Sequence, residues 1–210
     1  MIKKYLKLLI VTSIVTLLPI AAGLILWNKL PESVPFHWNV SGEVDRYVSK
    51  AVAVFLMPCV MLAFHWFCAL VTSADPKRQN HSEKVMQLVL WLIPAISVCM
   101  NALIYATALG KGVRIEAFMP ILLGLVFAVI GNYLPKCKQS HTVGIRLPWT
   151  LHSEENWNRT HRLAGRVWLI AGLLMIATGF FGILWPMIVL AVVMAIVPLV
   201  YSYVLYRKGI

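Results

Sequence analysis

Met187-Ile188-Val189-Leu190-Ala191-Val192-Val193-Met194-Ala195-Ile196-Val197-Pro198-Leu199-Val200-Tyr201-Ser202-Tyr203-Val204-Leu205-Tyr206 contains no Asp, Glu, Lys, Arg or His. At 1.5 Å of rise per residue, about 20 apolar residues cross a hydrocarbon core about 30 Å thick. Working outward from 187–206, comparable runs lie at 6–27, 51–71, 85–109, 117–134 and 167–184. Mean hydropathy is +0.78, and only 13% of residues are charged. A soluble helical core would show shorter segments, each with a polar face. The expected fold is therefore all-α and polytopic, a single membrane domain over 1–210 with six spans. Residues 28–50 form an extracytoplasmic cap, and 135–166 a cytoplasmic loop and amphipathic helix. Lys3, Lys4 and Lys7 before the first run also suit a secretory signal peptide. That run ends in Leu24-Ile25-Leu26-Trp27 rather than small-x-small, so a retained helix is expected.

The formal charge of +11 follows the membrane topology. Fourteen of the nineteen Lys and Arg fall at the N-terminus, in the second and fourth loops and in the tail. Only Lys29, Arg46, Lys50, Lys111 and Arg114 lie on the other side. The richer side reads as cytoplasmic, with both termini inside. Basic residues near anionic headgroups gain about 1 kcal/mol each, so the lipid bilayer is the expected partner of this charge and no direct nucleic-acid contact is implied. Cys59, Cys68, Cys99 and Cys137 form no CxxC pair, which leaves neither a disulfide framework nor a zinc site.

Within the spans, Pro19, Pro58, Pro94 and Pro198 bend helices, for packing or as hinges. Gly165, Gly172 and Gly179, with Gly182 and Ala171, lay a small stripe along the fifth span. This is either a central helix contact or an oligomer face. No Asp, Glu, Lys or Arg lies at mid-depth, and His65, nearer the cytoplasmic end of the second span, reads as hydrogen-bonded packing. An ion-coupled relay would require more than one such group.

Two polar segments carry the remaining information. In the outer loop, β-prone runs at 36–40 and 43–48 flank Ser41-Gly42, a two-residue turn signal. In that register Trp38 opposes Asp45 and Phe36 opposes Tyr47, either as interfacial anchoring or as a surface that meets a ligand. In the fourth loop, Ser153 is an N-cap with Glu154 and Glu155 in the first turn, and Glu155 stands four before Arg159. Trp157, His161, Ala164 and Trp168 share one face, which suggests a helix lying on the membrane surface before the fifth span.

The pattern Leu30-Pro31-x3-Pro35-x-His37-Trp38-x3-Gly42-x2-Asp45-x-Tyr47 resembles the N-terminal motif of the sporulation-delaying-protein immunity family. Gly131-Asn132-Tyr133-Leu134-Pro135-Lys136, Gly144-Ile145-Arg146, Pro148-Trp149-Thr150-Leu151, Glu154, Trp157 and Thr160-His161-Arg162 resemble its C-terminal signature. The segment Gln139-Ser140-His141-Thr142-Val143 departs from that pattern, which commonly has proline and aromatics there. The resemblance implies a multi-pass protein of the bacterial cell membrane that protects its cell from a secreted toxic peptide. It also implies signalling by holding a cytoplasmic transcriptional repressor at the membrane. The ligand-facing residues would be Pro35, His37, Trp38, Gly42, Asp45 and Tyr47. The cytoplasmic motif would comprise Asn132, Pro135, Gly144, Arg146, Pro148, Trp149, Glu154, Trp157, His161 and Arg162.

Two alternatives compete. Glu154-Glu155-x3-Arg159 and His152-x3-Asn156 reproduce strings of a glutamate-type intramembrane protease, in which Glu activates water and His and Asn hold the oxyanion. Here both strings fall in eight residues, whereas that chemistry draws them from separate helices. A small-molecule transporter lacks the buried charge it would use. The expectation is a non-enzymatic protein with no catalytic residue, metal or cofactor, and compatible with an oligomer.

Overall fold

The computed structural model describes residues 2–39 and 41–210. Six helices are long and apolar enough to cross a membrane. Helix α1 covers Ile2–Ile25, and strands β1 (Ser33–Trp38) and β2 (Val44–Ser49) follow it. A π-helical turn at Val52–Leu56 then enters α2 (Met57–Ser73). Next come α3 (Glu83–Ala108), α4 (Ile115–Tyr133), the short α5 (Pro148–His152), α6 (Glu154–Phe180) and α7 (Trp185–Arg207). The all-helical, multi-pass architecture is as the sequence implies. Two compact units make it up, 1–73 with 87–115, and 74–86 with 116–210.

In the first unit, two apolar clusters flank a polar seam. Leu9, Ala69 and Leu90 form one cluster, and Leu30, Val34, Ala53, Val54, Ile104 and Tyr105 the other. Between them His65 Nε2 lies 2.9 Å from Thr12 Oγ1, the Ser97 hydroxyl donates to the Thr16 carbonyl at 3.0 Å, and the Tyr105 hydroxyl donates to the Pro19 carbonyl at 3.0 Å. His65 is thus a packed, hydrogen-bonded histidine. In a hydrocarbon surround, such polar groups are favourable only when turned inward on one another.

In the second unit the glycine stripe meets α4, not an oligomer partner. A Cβ on Gly165 would lie 2.8 Å from the Gly131 carbonyl, one on Gly172 2.6 Å from the Gly124 carbonyl, and one on Gly179 2.9 Å from the Ala117 carbonyl. Both helices advance in steps of seven, so the antiparallel register is constant along the contact. The absent side chains let the two backbones touch, which supplies packing where burial from lipid supplies little. Ala171 leaves the stripe to pack with Met175 and Met194, and Gly182, with φ +68°, forms the turn after α6.

Helix α6 also corrects an expectation. Where a surface helix turning into a fifth span at 167 was expected, one continuous 27-residue helix runs from Glu154 to Phe180. The shared face of Trp157, His161 and Ala164 is fully buried in protein. Its apolar stripe answers to a protein core rather than to headgroups.

Candidate functional site

The hairpin between α1 and α2 is a cap in which Asn39 gathers the turn. Its side-chain oxygen accepts from the Ser41 and Glu43 backbone amides at 2.9 and 3.0 Å, and its backbone N–H donates to the Glu43 carbonyl at 2.9 Å. Gly42 sits at φ +80°, where a side chain would be strained. Val40, expected at the end of the first strand, lies outside the described residues. The register differs from the expected one: Trp38 faces Val44, and Tyr47 faces Pro35. Only His37 opposite Arg46 keeps the anticipated offset, between two bulges. Pro35 offers no amide to the ladder, and Phe36 and Trp38 both turn onto the apolar cluster beneath.

Consequently the six expected ligand-facing residues separate. Pro35 is buried and Trp38 half-buried against the core, while His37, Asp45 and Tyr47 are exposed. His37 Nδ1 and Asp45 Oδ1 pair at 2.6 Å across the strands. At the base of the cap, buried Lys50 lies 4.9 Å from the centre of the Trp27 ring and donates to Glu32 at 2.8 Å. The exposed surface is thus an imidazole–carboxylate pair beside a phenol, on a scaffold pinned at its root.

At the other end of the chain, α5 and the first turns of α6 close a polar clasp. Ser153 caps α6 by accepting from the Asn156 amide at 3.1 Å. The His161 ring stacks on Trp157, centroids 4.0 Å apart. Its Nδ1 meets the Trp157 carbonyl at 2.8 Å and its Nε2 the Ile145 amide at 2.9 Å. A carbonyl can only accept and an amide only donate, so Nδ1 carries the proton. Gly144, at φ +118°, lets this happen, since a Cβ there would stand 2.5 Å from His161 Nε2. Trp157 donates to the Cys137 carbonyl at 2.8 Å, and burial pushes the Cys137 thiol up to about 11.

Asn156 and Trp149 tie the clasp to α7. The Asn156 amide donates to the Ser202 and Ile210 carbonyls at 3.0 and 3.1 Å, and Trp149 Nε1 to the Ser202 hydroxyl at 3.0 Å. Trp149 also stacks on Tyr206 at 5.7 Å. Between them opens a cleft of about 590 Å³, with Pro148, Trp149, His152, Tyr206 and Ile210 in its wall.

The divergent segment 139–143 is anchored on the turn after α2, outside the motifs of the sequence. Asp75, its side chain fully buried, accepts from Thr142 Oγ1 at 2.7 Å, the His141 amide at 3.0 Å and the Lys77 amide at 2.7 Å, with His81 Nε2 at 3.3 Å. Burial alone would raise its pKa. The three hydrogen bonds and the neighbouring imidazole outweigh that and hold the carboxyl below the usual range. Gln139 extends the join: it donates to the Thr150 and Leu151 carbonyls at 2.9 Å and accepts from Lys77, and its own carbonyl accepts from Asn80 at 2.7 Å. Asp75-Pro76-Lys77 carries an Asx-turn signal. Nothing local reveals its partner sixty-odd positions away.

Of the expected cytoplasmic motif, Gly144, Trp149, Trp157 and His161 build the clasp, and Pro135 packs against Gly165. Asn132, Arg146, Pro148, Glu154 and Arg162 are exposed. Arg146 reaches back to the His141 carbonyl at 2.9 Å. The protease strings do not converge. Arg159 pairs with Glu155, His152 Nδ1 meets the Pro148 carbonyl at 2.5 Å, and Asn156 points into the α7 contact.

Residues 136–202 match the SdpI/YfhL protein family, and residues 14–62 match a domain of unknown function, DUF1648. The two matches fall on the clasp with its following helices and on the first helix with the cap. Over 206 residues the chain is 26% identical to "Immunity protein SdpI" of Bacillus subtilis (strain 168), covering 95% of this chain and 96% of that protein. No solved structure matches.

Proposed function

We propose that this SdpI-like integral membrane protein is a non-catalytic immunity protein that recognises a secreted toxic peptide at the β1–β2 cap. The observation that carries this reading is the near end-to-end similarity to an immunity protein, which includes the cap as well as the clasp. In this reading the cap is outside and both termini are in the cytoplasm, which the excess of Lys and Arg on the side of the termini supports. His37, Asp45 and Tyr47 meet the ligand, because they are exposed on the two paired strands. Trp38 and Pro35 support them from below.

On the inside, the exposed edge of Arg146, Pro148 and Glu154 beside the clasp is the surface for a cytoplasmic repressor. Its shape depends on the Asp75 and Gln139 join, which this chain builds with its own divergent residues.

The test is expression in a strain sensitive to an amphipathic peptide toxin. Resistance is expected to rise, and Asp45→Ala with Tyr47→Ala is expected to remove it at unchanged membrane abundance. Unchanged resistance in that double variant would overturn the assignment of the cap. Loss of protection in Glu154→Gln, accompanied by loss of peptide cleavage, would establish the protease instead.

A further inference from the structure

Arg159, Arg162 and Arg166 are spaced three and four apart on α6, which places all three on one helical face. With Leu163 and with Tyr201 of α7 they line an open depression of about 310 Å³. Arg159 is engaged by Glu155, and Arg162 makes a 3.4 Å contact from Nε to the Asn158 carbonyl. Arg166 has no hydrogen bond or ion pair among the described residues. Two of the three guanidinium groups therefore face this depression without an acidic partner.

Its depth along the helix identifies the ligand. Immediately beyond Arg166 the exposed residues of α6 become apolar, with Leu169 at 37% and Ile170 at 58% exposure. On α7, Val197 and Val200 are exposed just before Tyr201. The depression thus lies where an apolar belt gives way to polar surface, with basic groups above and aliphatic groups below. Guanidinium forks match phosphate oxygens, and the Tyr201 hydroxyl can donate to a third oxygen. A free phosphate would use only the upper part. A phospholipid would use both, laying acyl chains along Leu169, Ile170 and Val200.

We infer that this depression between α6 and α7 binds the phosphate of an anionic phospholipid headgroup. The bound lipid neutralises the unpaired arginines and fills the seam at the level of Leu163. The site is independent of the cap, so it stands whether or not a toxin is recognised there.

The experiment titrates the purified full chain, in zwitterionic detergent micelles, with short-chain phosphatidylglycerol and follows thermal unfolding and native mass spectra. Phosphatidylglycerol is expected to raise the unfolding temperature and to appear as a discrete bound species. Phosphatidylcholine and inorganic phosphate at the same concentrations are expected to do neither. At roughly 1 kcal/mol per basic contact, Arg166→Gln should weaken binding about fivefold and Arg162→Gln/Arg166→Gln about thirtyfold. Arg207→Gln/Lys208→Gln, at the end of α7 and outside the depression, should leave it unchanged. Equal losses from the two double variants would show mere surface attraction and overturn the site. An equal shift with inorganic phosphate would overturn the lipid as its ligand.

Discussion

Asp75 and Thr142 stand 67 positions apart in sequence and 2.7 Å apart in space, carboxylate to hydroxyl. The bond, with two backbone amides on the same carboxylate, fastens the turn after α2 to the loop before α5.

That carboxyl makes the join acid-sensitive. Its folded pKa is depressed, so the stability it contributes is fully present above the ordinary carboxylate range and is lost as pH falls through the lower folded value. Asp75→Asn should remove this part of the acid dependence. It should also cost about 1–3 kcal/mol at neutral pH, since an amide group would face the donors that the carboxylate now satisfies. Unfolding temperatures between pH 3 and pH 7 measure both effects.

The α4–α6 contact should tolerate no added carbon. Gly172→Ala would place Cβ 2.6 Å from backbone atoms of Gly124 and Ala128, so a helix must move rather than a side chain. The expected loss is about 1–3 kcal/mol. Gly112→Ala is the matched control, because nothing lies within 4 Å of its Cβ position. Thermal unfolding in detergent should separate the two variants clearly.

Asn156 is expected to be more sensitive to charge than to truncation. Its amide supplies two donors, one to the Ser202 carbonyl of α7 and one to the Ile210 carbonyl beyond its end, whereas Asp supplies none and would bring a carboxylate against them. Asn156→Ala should cost about 1–3 kcal/mol, and Asn156→Asp more. A proteolysis time course on the α5–α7 region reads the difference.

Cys137 should resist thiol reagents in the native protein. Its thiol is buried and its pKa raised to about 11, so thiolate is scarce at pH 8. Trp157→Phe, which removes the bond to the Cys137 carbonyl, should speed labelling by a soluble maleimide. Mass spectrometry of the modified peptide reports the rate.

Much of this architecture was legible in the chain because hydrocarbon imposes one demand, and long runs such as 187–206 answer it without ambiguity. The Ser153 cap and the Glu155–Arg159 pair were legible too, since each is a local pattern within one helix. The hairpin was readable as a hairpin, yet its register was not. Pro35 and two bulges decide that register, and their effect depends on which aromatics the core below accepts. The course of α6 was not legible, because an apolar stripe beneath arginines looks the same whether it faces headgroups or protein. At the sites, His161 was recognisable as a motif residue, whereas Asp75 and Ser202 carried no local signal, and Asn156 and Gln139 stood out only in a protease-like string and in a departure from the family pattern. Their importance comes from partners tens of residues away.

The matched seven-residue spacing of Gly124 and Gly131 with Gly165 and Gly172 carries an evolutionary consequence. One inserted residue between Gly124 and Gly131 would rotate everything beyond it by about 100°, replacing a bare backbone by a leucine or isoleucine side chain at the crossing. Point changes on the lipid-facing flank remain open to drift, whereas length changes between these glycines are closed unless they come as whole heptads. Homologous chains should therefore vary in loop length freely while keeping the spacing inside this pair fixed.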